Sequence, residues 1–142
     1  MRSKYFELYE LFPEELYNYL KDTISEDVMW KMVEDRLILS IDKIKEKFPK
    51  GSMSINTYYW AGNRGWSGLR TKDSPYYSET SQHSSFNAID CMFSQYATDE
   101  VREYILTNPD EFEEIGGVEI NVGWLHVDMR PRVNGKIKTF SA

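Results

Sequence analysis

Cysteine and histidine are the scarcest chemistry in this chain: its 142 residues hold one cysteine, Cys91, and two histidines, His83 and His126. A single cysteine excludes an internal disulfide and argues against a thiolate zinc cluster. Cys91 lies beside Asp90 in an apolar stretch and is expected to be a buried structural thiol. Long apolar runs are missing too. No stretch approaches the roughly 20 residues of a membrane span, and Met1 to Glu7 carries no apolar signal region behind its positive charges. Cytoplasmic synthesis without integral membrane association is the expectation. Basic charge is in deficit, 17 Lys and Arg against 23 Asp and Glu, for a net charge of −6. Phosphate recognition needs a basic stripe, and the lysines here are scattered or paired with acids, so nucleic acid is not the expected partner. The same balance disfavours attraction to an anionic membrane surface.

What is present suffices for one folded unit. With 41% hydrophobic and 15% aromatic residues over 142 positions, a core can form, and a single domain spanning 1–142 is expected. Pro13-Glu14-Glu15 opens a helix to about Asp22. Ser25-Glu26-Asp27 starts a second, whose apolar pattern runs to Phe48-Pro49 and reads as one long helix bent near Leu37. Ser52 to Trp60 is rich in β-formers and predicts a strand. Ala61 to Ser81 turns to Gly, Ser, Asn, Arg, Thr and Pro, a long loop of the kind that is usually functional. Phe86 to Phe93 reads as a strand, and Thr98-Asp99-Glu100 caps a helix to about Leu106. Val118 to Val122 and Trp124 to Met129 are strand-like runs around Gly123. Val133-Asn134-Gly135-Lys136 signals a hairpin turn before a closing strand to Phe140. Helices first and strands later predict an α+β fold, N-terminal helices packed on a small, mainly antiparallel sheet.

Both histidines sit in settings suited to ligands. His83 and Asp90 are spaced His-x6-Asp across a loop-to-strand transition. His126 lies in Trp124-Leu125-His126-Val127-Asp128, where strand periodicity puts residues 124, 126 and 128 on one face. Imidazole nitrogen and carboxylate oxygen suit zinc, and a catalytic zinc site has three protein ligands with a fourth position open. Taken alone the three residues form a weak pattern, because a histidine pair without metal gives the same spacing.

Their surroundings add a resemblance. Ser81-x-His83-x-x-Phe86-x-Ala88-x-Asp90, followed by Trp124-Leu125-His126-Val127-Asp128, resembles two signatures of the D-alanyl-D-alanine carboxypeptidase and L-alanyl-D-glutamate peptidase superfamily. Those signatures are Ser-x-His-x-x-Gly-x-Ala-x-Asp and aromatic-x-His-x-Asp, and the hedgehog signalling domain shares the fold. Ser67-Gly68-Leu69-Arg70-Thr71 looks like the family's Ser-Gly-Tyr-Arg-Ser segment, and Gly116-Gly117-Val118 resembles its glycine-rich lead into the last ligand strand. Tyr5 to Leu11 is similar to the opening of a subgroup common in phages. The resemblance implies zinc ligands at His83, Asp90 and His126, and substrate contacts at Arg70, Ser81 and Trp124. Arg70 would hold a substrate carboxylate or the developing oxyanion. The implied activity is hydrolysis of an amide bond in bacterial peptidoglycan stem peptide by a phage-encoded zinc peptidase. Release through a phage-made pore, or delivery within a virion, would follow.

Two departures bear on that reading. Phe86 stands where the family has glycine, and is expected to narrow the cleft or shift the backbone. Gly123 and Trp124 stand where many relatives carry the general base. Asp128 and Glu119 remain for that role; Asp128 alternatively orients His126, and Glu119 would need a kink at Gly123 to arrive. Tyr58, Tyr59, Trp60, Trp66, Tyr76 and Tyr77 either wall a cleft or pack the loop, and Asp110 to Glu114 reads as a solvated helix face. Phe86 and the missing base support an alternative: a non-catalytic, zinc-stabilised binding or virion module of the same fold.

Overall fold

Helix-start signals lay out the N-terminal half. In the computed structural model, which describes residues 1–141, α1 spans Leu8–Leu11, α2 Glu14–Lys21, α3 Glu26–Lys31 and α4 Asp35–Lys47. Ser25 caps α3, its hydroxyl accepting from the Val28 N–H at 3.3 Å. The long helix expected from Ser25 to Phe48 is instead split at Met32 to Glu34. Its apolar stripe, Met29, Val33, Leu37, Ile41, repeats every fourth residue, and each such step overshoots a helical turn by about 40°. A straight helix would wind that stripe off the core. The break resets its phase, and Met29, Trp30, Val33, Leu37, Ile38, Ile41 and Ile44 are all buried.

Five strands follow: β1 (Met53–Ser54), β2 (Ala88–Phe93), β3 (Gly117–Glu119), β4 (Leu125–Asp128) and β5 (Lys138–Phe140), in spatial order β1-β2-β4-β3-β5. Helix α5, Thr98–Thr107, lies between β2 and β3 in the chain. The fold is therefore α+β, but the sheet is mixed: three neighbouring pairs are antiparallel, while β3 and β5 run parallel. Asn134 and Gly135, at φ 55° and 72°, make the expected tight turn, bridged by Val133 and Lys136. The strand after it does not fold back on β4. Arg132 donates to the carbonyls of Pro109, Phe112 and Ile115, which carries the chain across to the open edge of β3. There Lys138 N–H donates to Gly116 O and Ile120 N–H to Phe140 O, both at 2.8 Å. The strand expected over Ser52 to Trp60 shrinks to β1, and Tyr58–Trp60 is a 3₁₀ turn instead.

Strand alternation then divides the sheet into two faces. Ile89, Cys91, Val118, Leu125 and Val127 belong to the buried core shared with α4 and α5, so Cys91 is a buried thiol. Asp90, His126, Asp128, Gly117 and Glu119 occupy the other face. No helix among the described residues is long and apolar enough to cross a membrane.

Candidate metal centre

Sheet register assembles the centre. Asp90 on β2 pairs with His126 on β4, and Glu119 on β3 pairs with Phe140 on β5. Between β3 and β4, Gly117 pairs with Asp128 and Val118 with Val127, and the ladder ends there, one residue short of Glu119. The two pairs, Asp90 with His126 and Glu119 with Phe140, line one cleft. His83 joins it from outside the sheet, on the 3₁₀ turn Gln82–Ser85.

Residues 67–70 lock that turn in place. Asn56, fully buried, accepts from Ser67 N–H and donates to Phe12 O, both at 2.9 Å. Leu69 N–H donates to Leu11 O at 3.0 Å, and Gly68 lies so close that a Cβ there would come within 2.2 Å of that oxygen. Ser67 O in turn accepts from Asp90 N–H at 2.7 Å. Gly68 O accepts from His83 Nδ1 at 2.9 Å. A carbonyl only accepts, so Nδ1 carries the hydrogen and Nε2 turns a lone pair toward the cluster. Ser81 caps the turn, accepting from His83 N–H at 3.2 Å, so one role of this residue is to orient the ligand loop.

Three donor atoms converge: His83 Nε2, His126 Nδ1 and Asp90 Oδ1. They stand 3.3 Å (His83 to His126), 3.3 Å (His83 to Asp90) and 2.9 Å (His126 to Asp90) apart. A tetrahedral zinc with bonds of about 2.0–2.1 Å holds its ligands about 3.3 Å from one another. The triangle therefore has the edge lengths of one face of such a tetrahedron, and the donor set of two imidazoles and one carboxylate suits the ion. All three residues are buried, and the cluster forms part of the floor of a cleft of about 670 Å³.

Charges of alternating sign extend the cluster across the sheet: Arg70, Asp90, His126, Asp128, Arg130. Arg70 Nη2 donates to Asp90 Oδ2 at 3.0 Å, and its Nε to Trp66 O at 2.8 Å. His126 Nε2 donates to Asp128 Oδ2 at 2.9 Å. Arg130 grips both oxygens of Asp128, each at 2.6 Å. Burial alone would lower the His126 pKa, but hydrogen bonds to Asp128 and Asp90 carry it from 6.5 up to about 9. Burial would likewise raise both carboxyls. Hydrogen bonds from His126 and Arg130 outweigh it at Asp128, which falls to about 2, and the hydrogen bond from His126 holds Asp90 below the usual carboxylate range.

Asp128 shares the strand face of His126, as expected. Its carboxylate, however, meets Nε2, the ring nitrogen turned away from the donor triangle, and both its oxygens are held. Glu119 lines the cleft together with His126, the chain bending through Asn121 to Trp124, Gly123 included, between β3 and β4. No donor among the described residues bonds its carboxylate. Arg102 on α5, itself buried, fixes the connecting loop by donating to the carbonyls of Glu119, Val122 and Trp124. Phe86 sits at φ 57°, in the left-handed region that glycine adopts most readily. It does not narrow the cleft: its ring is buried edge-on against Phe12 at 5.0 Å. Of the loop aromatics, Trp66 and Tyr76 line the cleft, joined by Trp124.

Arg130, Arg64 and Arg102 carry no expectation from the sequence, and Phe140 is expected only as the end of the closing strand. For Arg130 a signal was there, since it lies two residues past Asp128 in a strand-like run. The other three depend on topology. No protein-family model matches the chain, and comparison with curated proteins and with solved structures returns no match either. Fold and site define a class by architecture alone: an α+β domain whose mixed sheet carries a buried histidine, aspartate, histidine cluster at the floor of a cleft.

Proposed function

We propose that this chain is a zinc-dependent peptidase that hydrolyses an amide bond in bacterial peptidoglycan stem peptides, encoded by a phage and reaching the wall through a phage-made pore or within a virion. The observation that carries the zinc reading is the donor triangle of His83, Asp90 and His126. The substrate class rests on the sequence signatures around it. Zinc held by the three residues would supply a Lewis acid for the scissile carbonyl and lower the pKa of water to about 7.

The chain's own groups divide the remaining work. Glu119, unpaired in the cleft it lines with His126, takes the proton of the attacking water on its carboxylate and returns it to the leaving amine. Asp128 keeps the His126 Nε2 proton in place, so that Nδ1 stays directed at the metal. Arg70 steadies Asp90 and offers its remaining N–H groups to negative charge developing on the carbonyl oxygen. Trp124 and Ser81 stand at the cleft wall, positioned to flank a peptide.

Two observations support the catalytic reading over a non-catalytic, zinc-stabilised module: the Phe86 ring packs against Phe12 and is not part of the cleft lining, and Glu119 is. The test is Glu119→Gln, assayed on purified cell wall by the appearance of new amine termini. Activity is expected to fall by about 10² to 10⁴ with zinc content unchanged. Wild-type protein that carries zinc yet releases no amine from several wall types would refute the peptidase reading.

A further inference from the structure

Three arginines line the cleft, Arg64, Arg70 and Arg130, in a chain whose net charge is −6. Two of them are committed. Arg70 is bonded to Asp90 and Trp66 O, and Arg130 is bound through two nitrogens to Asp128. Arg64 differs. Its backbone is fixed, with N–H donating to Thr57 Oγ1 at 3.1 Å and its carbonyl accepting from Thr57 and Tyr58 N–H at 2.9 and 3.2 Å. Its guanidinium, half-buried at the cleft wall, meets no carboxylate or carbonyl among the described residues. It lines the same cleft as His83, Asp90 and His126.

An anchored backbone carrying an unpaired guanidinium into a cleft is suited to an anionic ligand. The planar fork matches a carboxylate through two parallel hydrogen bonds, and a part-desolvated cation gains from such a partner. Arg70, to which the sequence resemblance assigns that role, has Nε and Nη2 already turned to Trp66 O and Asp90, which leaves it fewer free N–H groups than Arg64.

We propose that Arg64 is the specificity residue of this cleft, recognising a free carboxylate of the substrate peptide. The assignment rests on the peptidase reading only in taking the ligand to be a peptide. That carboxylate is either the peptide's C-terminal group or an acidic side chain, and the same experiment separates the two.

Binding to the zinc-loaded full chain is measured by calorimetry with two pairs of peptides. One pair ends in D-alanyl-D-alanine, with the C-terminus free or amidated. The other contains L-alanyl-D-glutamate with the terminus blocked and the glutamate side chain free or amidated. Wild-type protein is expected to prefer the acid of one pair over its amide by about 10- to 100-fold, the scale of a charge-assisted hydrogen-bonded pair. The pair showing the preference identifies the source of the carboxylate. Arg64→Gln should lose the preference while keeping its affinity for the amide, and Arg64→Lys should keep part of it. In the wild type, the acid peptide should also protect Arg64 from phenylglyoxal, read by mass spectrometry. Lost preference in Arg64→Gln without hydrolysis by the wild type supports the assignment and counts against the peptidase reading alone. An acid-to-amide ratio unchanged by Arg64→Gln would assign the preference to the metal or Arg70 and overturn the proposal. So would the absence of any acid preference in the wild type, or of any binding.

Discussion

Asp128 has no free oxygen: Oδ2 takes the His126 Nε2 hydrogen and one Arg130 nitrogen, while Oδ1 takes another Arg130 nitrogen and the Arg130 backbone N–H. A carboxylate so held is a poor proton shuttle and a good clamp. Asp128→Asn keeps an acceptor for Nε2 but removes the charge that supports the imidazole, so zinc affinity should fall by about 10- to 100-fold. Activity lost through that route should return in excess zinc. Competition with a chelator measures the affinity; unchanged affinity with activity lost would restore Asp128 as the base. His83, Asp90 and His126 could be read from the sequence because two scarce histidines and one carboxylate fell into a spaced pattern. Glu119 could be named but not placed. Its position depends on how β3 pairs with β4, and spacing along the chain carries no register.

At the scale of the element, the Asp128–Arg130 pair fits only because its neighbours across the sheet are small. Ala88 and Gly117 stand opposite Asp128 on either side, and a Cβ on Gly117 would lie 2.4 Å from Asp128 Oδ1 and 2.5 Å from Arg130 Nε. Gly117→Ala should therefore press against the clamp from the neighbouring strand. We expect a loss of about 1–3 kcal/mol in stability, on the scale of overpacking in a filled site, together with weaker zinc binding. Denaturant melts of the metal-free and zinc-loaded forms check this, and a variant matching wild type in both would show that the pair yields without cost. The helices were readable through their start signals, Pro13 with its following acids and the Ser25 cap. The split at Met32 to Glu34 was hidden, because the apolar residues continue through it at a spacing that looks helical. The parallel placement of β5 was hidden too, since the Asn134-Gly135 turn gives a hairpin signal whichever edge the strand later joins.

Over the whole molecule, the cluster links metal binding, protonation and stability. In the metal-free protein the raised pKa of His126, about 9, means that its ion pairs contribute fully below the ordinary 6.5 and are lost as pH rises through about 9. The lowered pKa of Asp128 works in the opposite sense: its contribution is present above the ordinary 3.8 and is lost as pH falls through about 2. The metal-free form should accordingly gain most from the cluster between about pH 4 and 6.5. Zinc must displace the proton on His126 Nδ1. Near pH 7, well below that value, calorimetry in buffers of different ionisation enthalpy should thus show close to one proton released per zinc, and a heat independent of buffer would show His126 already neutral. The central claim is that His83, Asp90 and His126 together hold one zinc. Its most direct test is the zinc content of the 142-residue chain after equilibration at fixed free zinc, compared with His83→Ala and His126→Ala at the same free zinc. One zinc per wild-type chain and none in either variant is the expected result; wild-type protein that takes up no zinc, or variants that retain it, would contradict a zinc site at these three residues.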